Sequence, residues 1–538
     1  MTSGFSSVLM PNGQPFSKGM TGGKTTARYL RDTKSGVIAS RRPSLSGSRE
    51  DIRRSWERSA SLAVDLIQNS GRLKGATDQV IADTVGNGLT LTPQPDLSGL
   101  GYDEKEAADW CRMVKKRYHR RAKNKSECDF RGKLTKHQQV DIALRWSIAY
   151  GEVTGVYEFF GAQKRQRYGV TSGTKLCMVP PHRLVQDTST HENLYQGVRH
   201  DENGRAISYR FKTSENGFAQ KQDFAAYDTD GRPLVMHIFD PMDAEDVRGI
   251  SQLAPAFRKH IQSEMLGDAT LQMSILQTIF AITLTSDTPS ADAFEAIEAL
   301  KDAGDGGKDL SKEYMGYLGS QLDHAAESRI NVGADPQVSH LGPGETLDLK
   351  APQVNGADFE PFSKNLDREM ARTIGITYGG FTMDYTAATY ASTRMENSSI
   401  WPIVTRRRER IAAPVYQTDY ELWLEEEIAE KRIPFKGGYR AFWANQDRIC
   451  PATWQGPAKP TADDHKSARA SSERLKNKTT SLAEEAGERG MDADTLFEQQ
   501  KGDHDRYEEA GMASPYGTTA ETKPKKNKKK KKSKKLKA

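Results

Sequence analysis

A row of three cations on one predicted helix is the first feature of this sequence whose residue types and spacing suit chemistry. Lys364, Arg368 and Arg372 follow one another at intervals of four residues, so on a helix they form one stripe along one face. Such a stripe either forms salt bridges, here with Asp367, Glu369 or a neighbouring helix, or binds a polyanion. Both interpretations remain open at this point.

A lysine-rich run at the end of the sequence is the strongest charge signal. The last 16 residues contain 11 Lys and no acid, so the net charge of +6 divides into +11 in this tail and −5 in the rest of the chain. Such a block cannot bury a core, and it binds polyanions with salt-sensitive affinity unless it serves as a localisation signal. The polyanion-binding candidates are Lys525, Lys526, Lys528, Lys529, Lys530, Lys531 and Lys532.

Sequence motifs for catalysis, cofactors and metals are missing. The tripeptide Gly23-Lys24-Thr25 resembles the end of a phosphate-binding loop, but Lys18 occupies the position of the first glycine that the loop requires. No H-E-x-x-H or G-x-S-x-G motif is present, and no Cys or His pair has ligand spacing. We therefore expect a non-enzymatic protein with no catalytic residue, no cofactor and no metal. The cysteines, expected to be reduced thiols, are Cys111, Cys128, Cys177 and Cys450.

Length and composition bound the class of protein. The 538 residues predict about three structural units. A hydrophobic fraction of 36% with 28% charged residues indicates folded domains joined to long polar segments. The longest nearly apolar run, at 275–284, is about half as long as a membrane span, and the N-terminus lacks the pattern of a secretory signal. We expect neither a membrane protein nor an exported one.

Apolar periodicity predicts the elements of the first half of the chain. Residues 1–48 have no such periodicity, and we expect a flexible arm. Up to about residue 250, helical segments alternate with short strand-like runs bounded by turns, which predicts a mixed α and β unit. The first helix follows from Ile52, Trp56, Ala60, Ala63 and Ile67 at helical spacing. The other predicted helices span 76–85, 103–123 and 134–150, and the predicted strands span 89–93, 153–160, 175–179, 206–212 and 234–239.

Three long helices are predicted in the second half. They cover 251–285, 358–375 and about 393–431, and the cation row lies on the second. Kinks are expected in the third helix at Pro402 and Pro414, because proline donates no backbone hydrogen bond. The other predicted segments are a short helix at 291–303, a strand fragment at 338–341, a Gly/Thr/Tyr-rich loop at 377–393 and a modest helical pattern around 468–497.

One segment of this half resembles a known family. Residues 375–394, GITYGGFTMDYTAATYASTR, are similar to the most diagnostic stretch of the lambda-type portal proteins of tailed bacteriophages. That family carries G-I-[ST]-Y, then D-Y-[ST]-x-x-[NT]-Y-[AS]-S-x-R, then a long helix. The pair Gly379-Gly380 departs from the pattern, since relatives usually carry a bulkier pair. Further matches lie in order across 45–455: VGNGL at 85–89, AYGE at 149–152, GV at 197–198, Asp201, GR at 204–205, RGIS at 248–251 and LGPGE at 341–345.

The resemblance implies an α+β portal fold assembled as a ring. It implies an α/β wing, long stem helices, a small clip domain and an α-helical C-terminal crown. The corresponding ranges are an arm at 1–48, the wing at 49–250, the first stem helix at 251–285, the clip at 286–356, the second stem helix at 357–376, a channel loop at 377–393, a kinked wing helix and following segment at 394–455, the crown at 456–522 and the Lys-rich tail at 523–538.

The resemblance also implies a function. The subunit would form a homododecameric ring at one capsid vertex, conduct double-stranded DNA during packaging and ejection, and contact the terminase large subunit, the major capsid and scaffold proteins and the head–tail connector. It would be found in the virion, and in the host cytoplasm during assembly, with no membrane partner. Gly379 and Gly380 would allow the channel loop to bend. The candidate DNA-channel residues are Lys364, Arg368, Arg372, Thr382, Thr386, Thr389 and Ser392.

Two other functions stay open. One is a nucleic-acid-processing protein anchored by its basic tail, against which the missing carboxylate and metal motifs argue. The other is a non-portal DNA-binding scaffold, which leaves the 375–394 segment unexplained. A ring with a central hole, visible by gel filtration and negative-stain imaging, is required by the portal interpretation alone.

Overall fold

The structure is a computed structural model that describes residues 47–213, 220–278, 282–286, 345–349, 356–386, 388–461, 463–491 and 493–516. Nearly all of the predicted arm, most of the predicted clip and the whole Lys-rich tail lie outside these residues. The helix predicted at 291–303 and the strand fragment predicted at 338–341 also lie outside them.

Two helices open the described chain, α1 (Ser48–Asn69) and α2 (Gly71–Val85). Ser70 separates them, and its side-chain oxygen accepts a hydrogen bond from the backbone N–H of Leu73, so it caps α2. Gly86 ends α2 with a φ of 55° that favours glycine. The apolar spacing that predicted α1 is confirmed, since all five of its residues are buried: Ile52, Trp56, Ala60, Ala63 and Ile67.

Helices and two antiparallel sheets make up the region to residue 239, which confirms the predicted mixture of α and β structure. Strand β1 spans Thr90–Pro93, and four helices follow: α3 (Glu104–Lys123), α4 (Lys125–Cys128), α5 (Lys136–Ala149) and α6 (Ala162–Tyr168). A three-stranded sheet of order β3-β2-β8 contains β2 (Glu152–Phe159), β3 (Thr174–Met178) and β8 (Val235–Phe239). A four-stranded sheet follows chain order through β4 (Leu194–Tyr195), β5 (Val198–His200), β6 (Ala206–Lys212) and β7 (Lys221–Ala225).

The first long helix is shorter than its sequence pattern predicted. Helix α7 spans Phe257–Thr278 after a 3-10 turn that contains Pro255. The predicted end at residue 285 is wrong, because strand β9 (Ile282–Ser286) occupies those positions. Its Ile and Thr residues are β-branched and favour extended backbone. Strand β9 pairs antiparallel with β10 (Glu345–Leu349), inside the range predicted as the clip.

The second long helix and the segment after it lie close to their predicted positions. Helix α8 spans Gly356–Ile374, and the predicted loop at 377–393 contains one short helix, α9 (Tyr378–Thr382). The third long helix divides into α10 (Tyr390–Arg407), a π-helical turn (Arg408–Ala412) and α11 (Ala413–Ala429). Pro414, which has no N–H to donate, lies two residues after the irregular turn, so the interruption lies just before the second predicted proline, while α10 continues through Pro402.

The remaining elements are mostly helical. Helices α12 (Gly438–Ala444) and α13 (Gln446–Ile449) precede strand β11 (Ala452–Gln455), which pairs with β1 so that Thr90 lies opposite Gln455. The modest helical pattern after residue 455 corresponds to three helices: α14 (Asp464–Lys476), α15 (Leu482–Glu488) and α16 (Ala493–Glu509).

The two largest hydrophobic cores join most of these elements. The larger one packs α3, α5 and α11 around aromatic side chains such as Tyr118, Tyr420 and Trp423. The second core joins α1, α2 and α5 to α8, whose Met370 and Ile374 are buried in it. This second core therefore fixes the rotation of α8, the helix that carries the cation row.

Candidate functional site

The cation row begins beside the buried face of α8 and turns outward along the helix. Lys364 is half-buried, whereas Arg368 and Arg372 are exposed. Residues four apart on a helix of 3.6 residues per turn drift by about 40° at each step, and Met370 and Ile374 are held in the core. The drift therefore carries the last two cations away from the core and towards open space.

The salt-bridge interpretation holds for one member of the row. The Nζ atom of Lys364 lies 2.6 Å from Oε1 of Glu360, one turn earlier on α8, and 3.8 Å from Oδ2 of Asp384. The hydrogen bond to Glu360 raises the pKa of Lys364. The positive charge of Lys364 is therefore largely offset by its own neighbours.

The two acids that the sequence suggested as partners of the row form ion pairs with residues of other helices instead. Oδ1 of Asp367 lies 2.5 Å from Nη1 of Arg72 on α2, and Glu369 forms an ion pair with Lys259 on α7. Among the residues that the structure describes, Arg372 has no carboxylate within 4 Å. Arg368 instead faces the ring of Tyr378, with its guanidinium carbon 5.4 Å from the ring centroid.

A cavity of about 560 Å³ opens beside Lys364, where α2, α8 and α9 meet. Its polar side chains carry both signs of charge. Burial raises the pKa of Asp367, and the Arg72 guanidinium opposes that shift. The mixture of charges distinguishes this cavity from a simple anion site. Its charged lining residues are Arg72, Glu360, Lys364, Asp367 and Asp384.

The two glycines of the predicted channel loop lie inside helix α9 with ordinary helical backbone. The side-chain oxygen of Thr377 caps α9 by accepting the N–H of Gly380 at 3.0 Å. Gly379 is buried, and a Cβ atom there would lie 2.6 Å from Cε1 of Tyr385. Close packing against this ring is the requirement that the structure shows for Gly379, while the predicted bending of the loop stays a prediction.

The hydroxyl groups of the same segment form local hydrogen bonds. Thr382 Oγ1 donates to the Tyr378 carbonyl at 3.0 Å, and Thr386 Oγ1 donates to Oδ1 of Asp384 at 2.6 Å. Thr389 and Ser392 form the capping box that starts α10. A T-x-x-S pattern directly before a helix is the signal that would have predicted this capping role. Thr386, Thr389 and Ser392 are also exposed.

Two of the stretches that resemble the lambda-type portal pattern lie about 100 residues apart in the sequence but meet in space. Glu152, from the AYGE stretch, is fully buried with Arg248, from the RGIS stretch, and the Arg248 Nε atom lies 2.8 Å from both carboxylate oxygens. A Cβ atom on Gly249 would lie 2.0 Å from the carbonyl oxygen of Gly151. Sequence reasoning missed this pair. Two charged residues, each next to a glycine in matching motifs, were the available signal.

Metal ligands and membrane spans were also sought in the described ranges. No three His, Cys, Asp or Glu side chains there converge as a metal site. None of the helices in those ranges has both the length and the apolar character needed to cross a bilayer.

Known proteins resemble this chain over most of its length. A sequence model described as "Phage portal protein, lambda family" matches residues 34–408. The portal protein of Escherichia phage N15 is 23% identical over 479 residues, which is 86% of this chain and 86% of that protein. Portal protein B of Escherichia phage lambda is 24% identical over 480 residues, again 86% of each chain.

Solved structures give more distant matches. A chain in the neck of a native gene transfer agent particle, computed with C12 symmetry, is 13% identical, with 79% of this chain and 92% of that chain covered and a TM-score of 0.37. A chain from the virion of the native gene transfer agent particle is 12% identical, with 71% and 84% covered and the same TM-score.

Proposed function

This chain belongs to the lambda family of phage portal proteins, and from this premise we propose that twelve copies form a ring at one capsid vertex that conducts double-stranded DNA. The family is a structural one, without enzymatic activity, and the protein is a component of the virion. The observation that carries the proposal is the family match over 34–408, which includes the cation row, the short helix α9 and the whole of α10.

The path of the chain supports a stem and clip within each subunit. Helices α7 and α8 pack together, with Nδ1 of His260 lying 3.2 Å from Sδ of Met370. The antiparallel β9–β10 pair joins the chain leaving α7 to the chain entering α8. We assign the stem to these helices, the clip to 286–356 between them, the wing to 49–250 and 394–455, and the crown to the helical segment at 456–522.

The free cations of α8 support contact with DNA in the channel. Arg368 and Arg372 are exposed, and the nearby acids Asp367 and Glu369 are paired with other helices. In a ring, each such residue becomes a circle of positive charge. Contacts to phosphate without base readout suit a duplex that must slide. We propose the same contact for the hydroxyls of Thr382, Thr386, Thr389 and Ser392, and a bending role for Gly379 and Gly380.

The partners follow from the same proposal. The ring docks the terminase large subunit during packaging and the head–tail connector afterwards, and the surrounding shell supplies the major capsid and scaffold proteins. ATP hydrolysis then belongs to the terminase. Assembly takes place in the host cytoplasm. The Lys-rich tail, including Lys525 to Lys532, contributes a salt-sensitive grip on polyanions.

Ring formation is the test of this proposal. The full chain is purified and studied by size-exclusion chromatography with light scattering and by negative-stain imaging. We expect particles with a central hole and a mass of about 720 kDa, the value for twelve chains of 59.9 kDa. A monomer, or a compact particle without a hole, under conditions that keep the protein soluble would contradict the proposal.

A further inference from the structure

A second row of cations lies on the wing, on the solvent face of α3. Lys116, Arg120 and Lys123 are exposed, and their spacing places them on one face of the helix. The opposite face, which includes Trp110 and Val114, is buried in the larger core. The row is therefore held in a fixed orientation and points away from the protein.

The positive surface continues beyond the end of α3. Three more exposed cations follow within ten residues, on α4 and in the turn before α5: Lys125, Arg131 and Lys133. We call the six residues, Lys116, Arg120, Lys123, Lys125, Arg131 and Lys133, the α3 basic surface.

The two acids within this stretch are turned towards the protein. The carboxylate of Glu127 accepts hydrogen bonds from the backbone N–H groups of Thr171 and Ser172, at 2.9 and 2.8 Å. Asp129 is buried, and it accepts hydrogen bonds from the Lys133 backbone at 2.8 Å and from the Gln139 side chain at 3.1 Å. Neither carboxylate therefore offsets the charges that face solvent.

Exposed cations elsewhere on the wing are often paired with acids, which makes this surface distinctive. Lys221 pairs with Asp187 at 2.6 Å, and Arg145 pairs with Asp78 at 2.8 Å. An exposed cation in the first half of α3 is also paired, because Arg112 lies 2.8 Å from Asp109. Within the described ranges, the six members of the α3 basic surface have no carboxylate within 4 Å.

Nearby positive charges contribute to lowered pKa values of two neighbouring histidines. The pKa of His119 is lowered by burial and by the charges of Lys123 and Lys115. The pKa of His137 falls to about 4 through burial, with further lowering from His119, Lys123 and Lys136. Lys123 is the member of the α3 basic surface that contributes to both shifts.

We propose that the α3 basic surface binds the phosphate backbone of double-stranded DNA, outside the channel and without sequence preference. It is a DNA contact separate from the cation row on α8, and it goes beyond the proposed function. Duplex DNA fits better than an acidic protein, because protein interfaces depend on buried aromatic or aliphatic anchors. Met113 is the one large apolar side chain exposed on α3 and α4. Phosphate binding needs only positioned cations.

The salt dependence of DNA binding by the full chain tests the proposal. The probe is a small covalently closed duplex circle, which cannot thread a ring. The variant Lys116→Gln/Arg120→Gln/Lys123→Gln is compared with Arg469→Gln/Lys478→Gln/Lys501→Gln, which replaces three exposed cations in the C-terminal region at 464–509. Both variants retain the Lys-rich tail and lose the same charge. We expect the negative slope of log K against log salt to become shallower by about 2–3 in the first variant only. Each lost phosphate contact accounts for about 0.9 of this change.

Equal slopes for the two variants, or no binding of the circle by the wild-type chain, would overturn the proposal. Conservative replacement with Lys116→Arg/Lys123→Arg should preserve the slope. A photo-crosslinker introduced as Met113→p-benzoylphenylalanine, beside the row, should label the DNA circle. Labelling of a second copy of the chain in the presence of DNA would instead indicate a protein partner and would contradict the proposal that this surface binds DNA. Ring formation is read by imaging, so a failure of the proposed function is seen separately.

Discussion

Arg248 and Glu152 form an ion pair in which both side chains are fully buried. The Arg248 Nε atom lies 2.8 Å from each carboxylate oxygen, and its terminal nitrogens donate to the carbonyls of Gln196 and Pro181, each at 3.2 Å. His237 Nε2 lies 3.1 Å from the same carboxylate. Burial alone would raise the pKa of Glu152, but Arg248 and His237 hold it below its usual value.

The pair connects the three-stranded sheet to the turn before the first long helix. Glu152 begins β2, and Arg248 precedes the turn that leads into α7. A Cβ atom on Gly249 would meet the carbonyl of Gly151, and one on Gly151 would meet the backbone of Ile250, so the two chain segments cross at backbone distance. We infer that this crossing sets the direction in which α7 leaves the wing.

Replacing Glu152 with Gln should destabilise the fold strongly. The change keeps the shape of the side chain but leaves the Arg248 charge buried without a counter-charge. Loss of one partner of a buried pair costs about 3–5 kcal/mol. The measurement is the free energy of unfolding in urea. Asp78→Asn, which removes the surface partner of both Lys74 and Arg145, is the control and should change that free energy by less than about 1 kcal/mol. A similar small loss in both variants would contradict the role of the buried pair.

Lowering the pH should weaken the fold through His137. Its Nδ1 atom lies 2.7 Å from the Tyr416 hydroxyl, and burial lowers its pKa from 6.5 to about 4. Because the folded pKa lies below the unfolded one, the stabilisation is fully present above pH 6.5 and is lost as the pH falls through 4. His137→Gln keeps an acceptor but does not titrate in this range, so its melting temperature should fall less than that of the wild type between pH 7 and pH 4.

His465, whose side chain is exposed, offers a control histidine for this measurement. His465→Gln should leave the pH dependence of the melting temperature unchanged. An unaltered pH dependence in His137→Gln would show that His137 is protonated as easily in the folded chain as in the unfolded chain.

Elements with local sequence signals were predicted well. The first helix was found from five apolar positions, all of which are buried, and the predicted helix at 103–123 differs from α3 by one residue at its start. The second long helix was placed within two residues of α8. These elements carry their own periodicity and end signals, so no distant contact is needed to define them.

Features that depend on distant contacts could not be predicted. Strand β11 pairs with β1 across more than 350 residues, and no local pattern records that partner. The ion pairs around the cation row could not be predicted for the same reason. The Glu360–Lys364 pair spans one helical turn, whereas Asp367 is bound by Arg72, which lies 295 residues earlier in the sequence. The sequence therefore identified the row but not which of its charges stay free.

Gly379→Ala should have opposite effects in two backgrounds. In the wild type the new methyl group meets the Tyr385 ring at 2.6 Å, so we expect a loss of stability. In a Tyr385→Ala background the obstruction is gone, and alanine should stabilise α9 by about 0.5–1 kcal/mol through its better helix propensity. A double-mutant cycle by chemical unfolding measures the difference. Identical effects in both backgrounds would show that the ring does not restrict position 379.

Replacing Lys364, Arg368 and Arg372 together with Gln should reduce the amount of DNA that is packaged or retained while rings still assemble. The expected loss is unequal among single variants. Lys364→Gln should matter least, because Glu360 already offsets the Lys364 charge. Arg372→Gln should matter most, because Arg372 is exposed and the nearby acids Asp367 and Glu369 are bound elsewhere. Genome yield from assembled particles and negative-stain images of the purified rings give the two readouts.

The matched control for the row is Arg469→Gln/Lys478→Gln/Lys501→Gln, which removes the same charge from the C-terminal region at 464–509 and should leave genome yield near the wild-type level. If the α8 variant loses rings rather than packaged DNA, the three cations are subunit-interface salt bridges. If Lys364→Gln is as harmful as Arg372→Gln, pairing with Glu360 does not neutralise Lys364 in the assembled ring. The order of the three single variants therefore tests the charge pattern of one subunit against its behaviour in the channel.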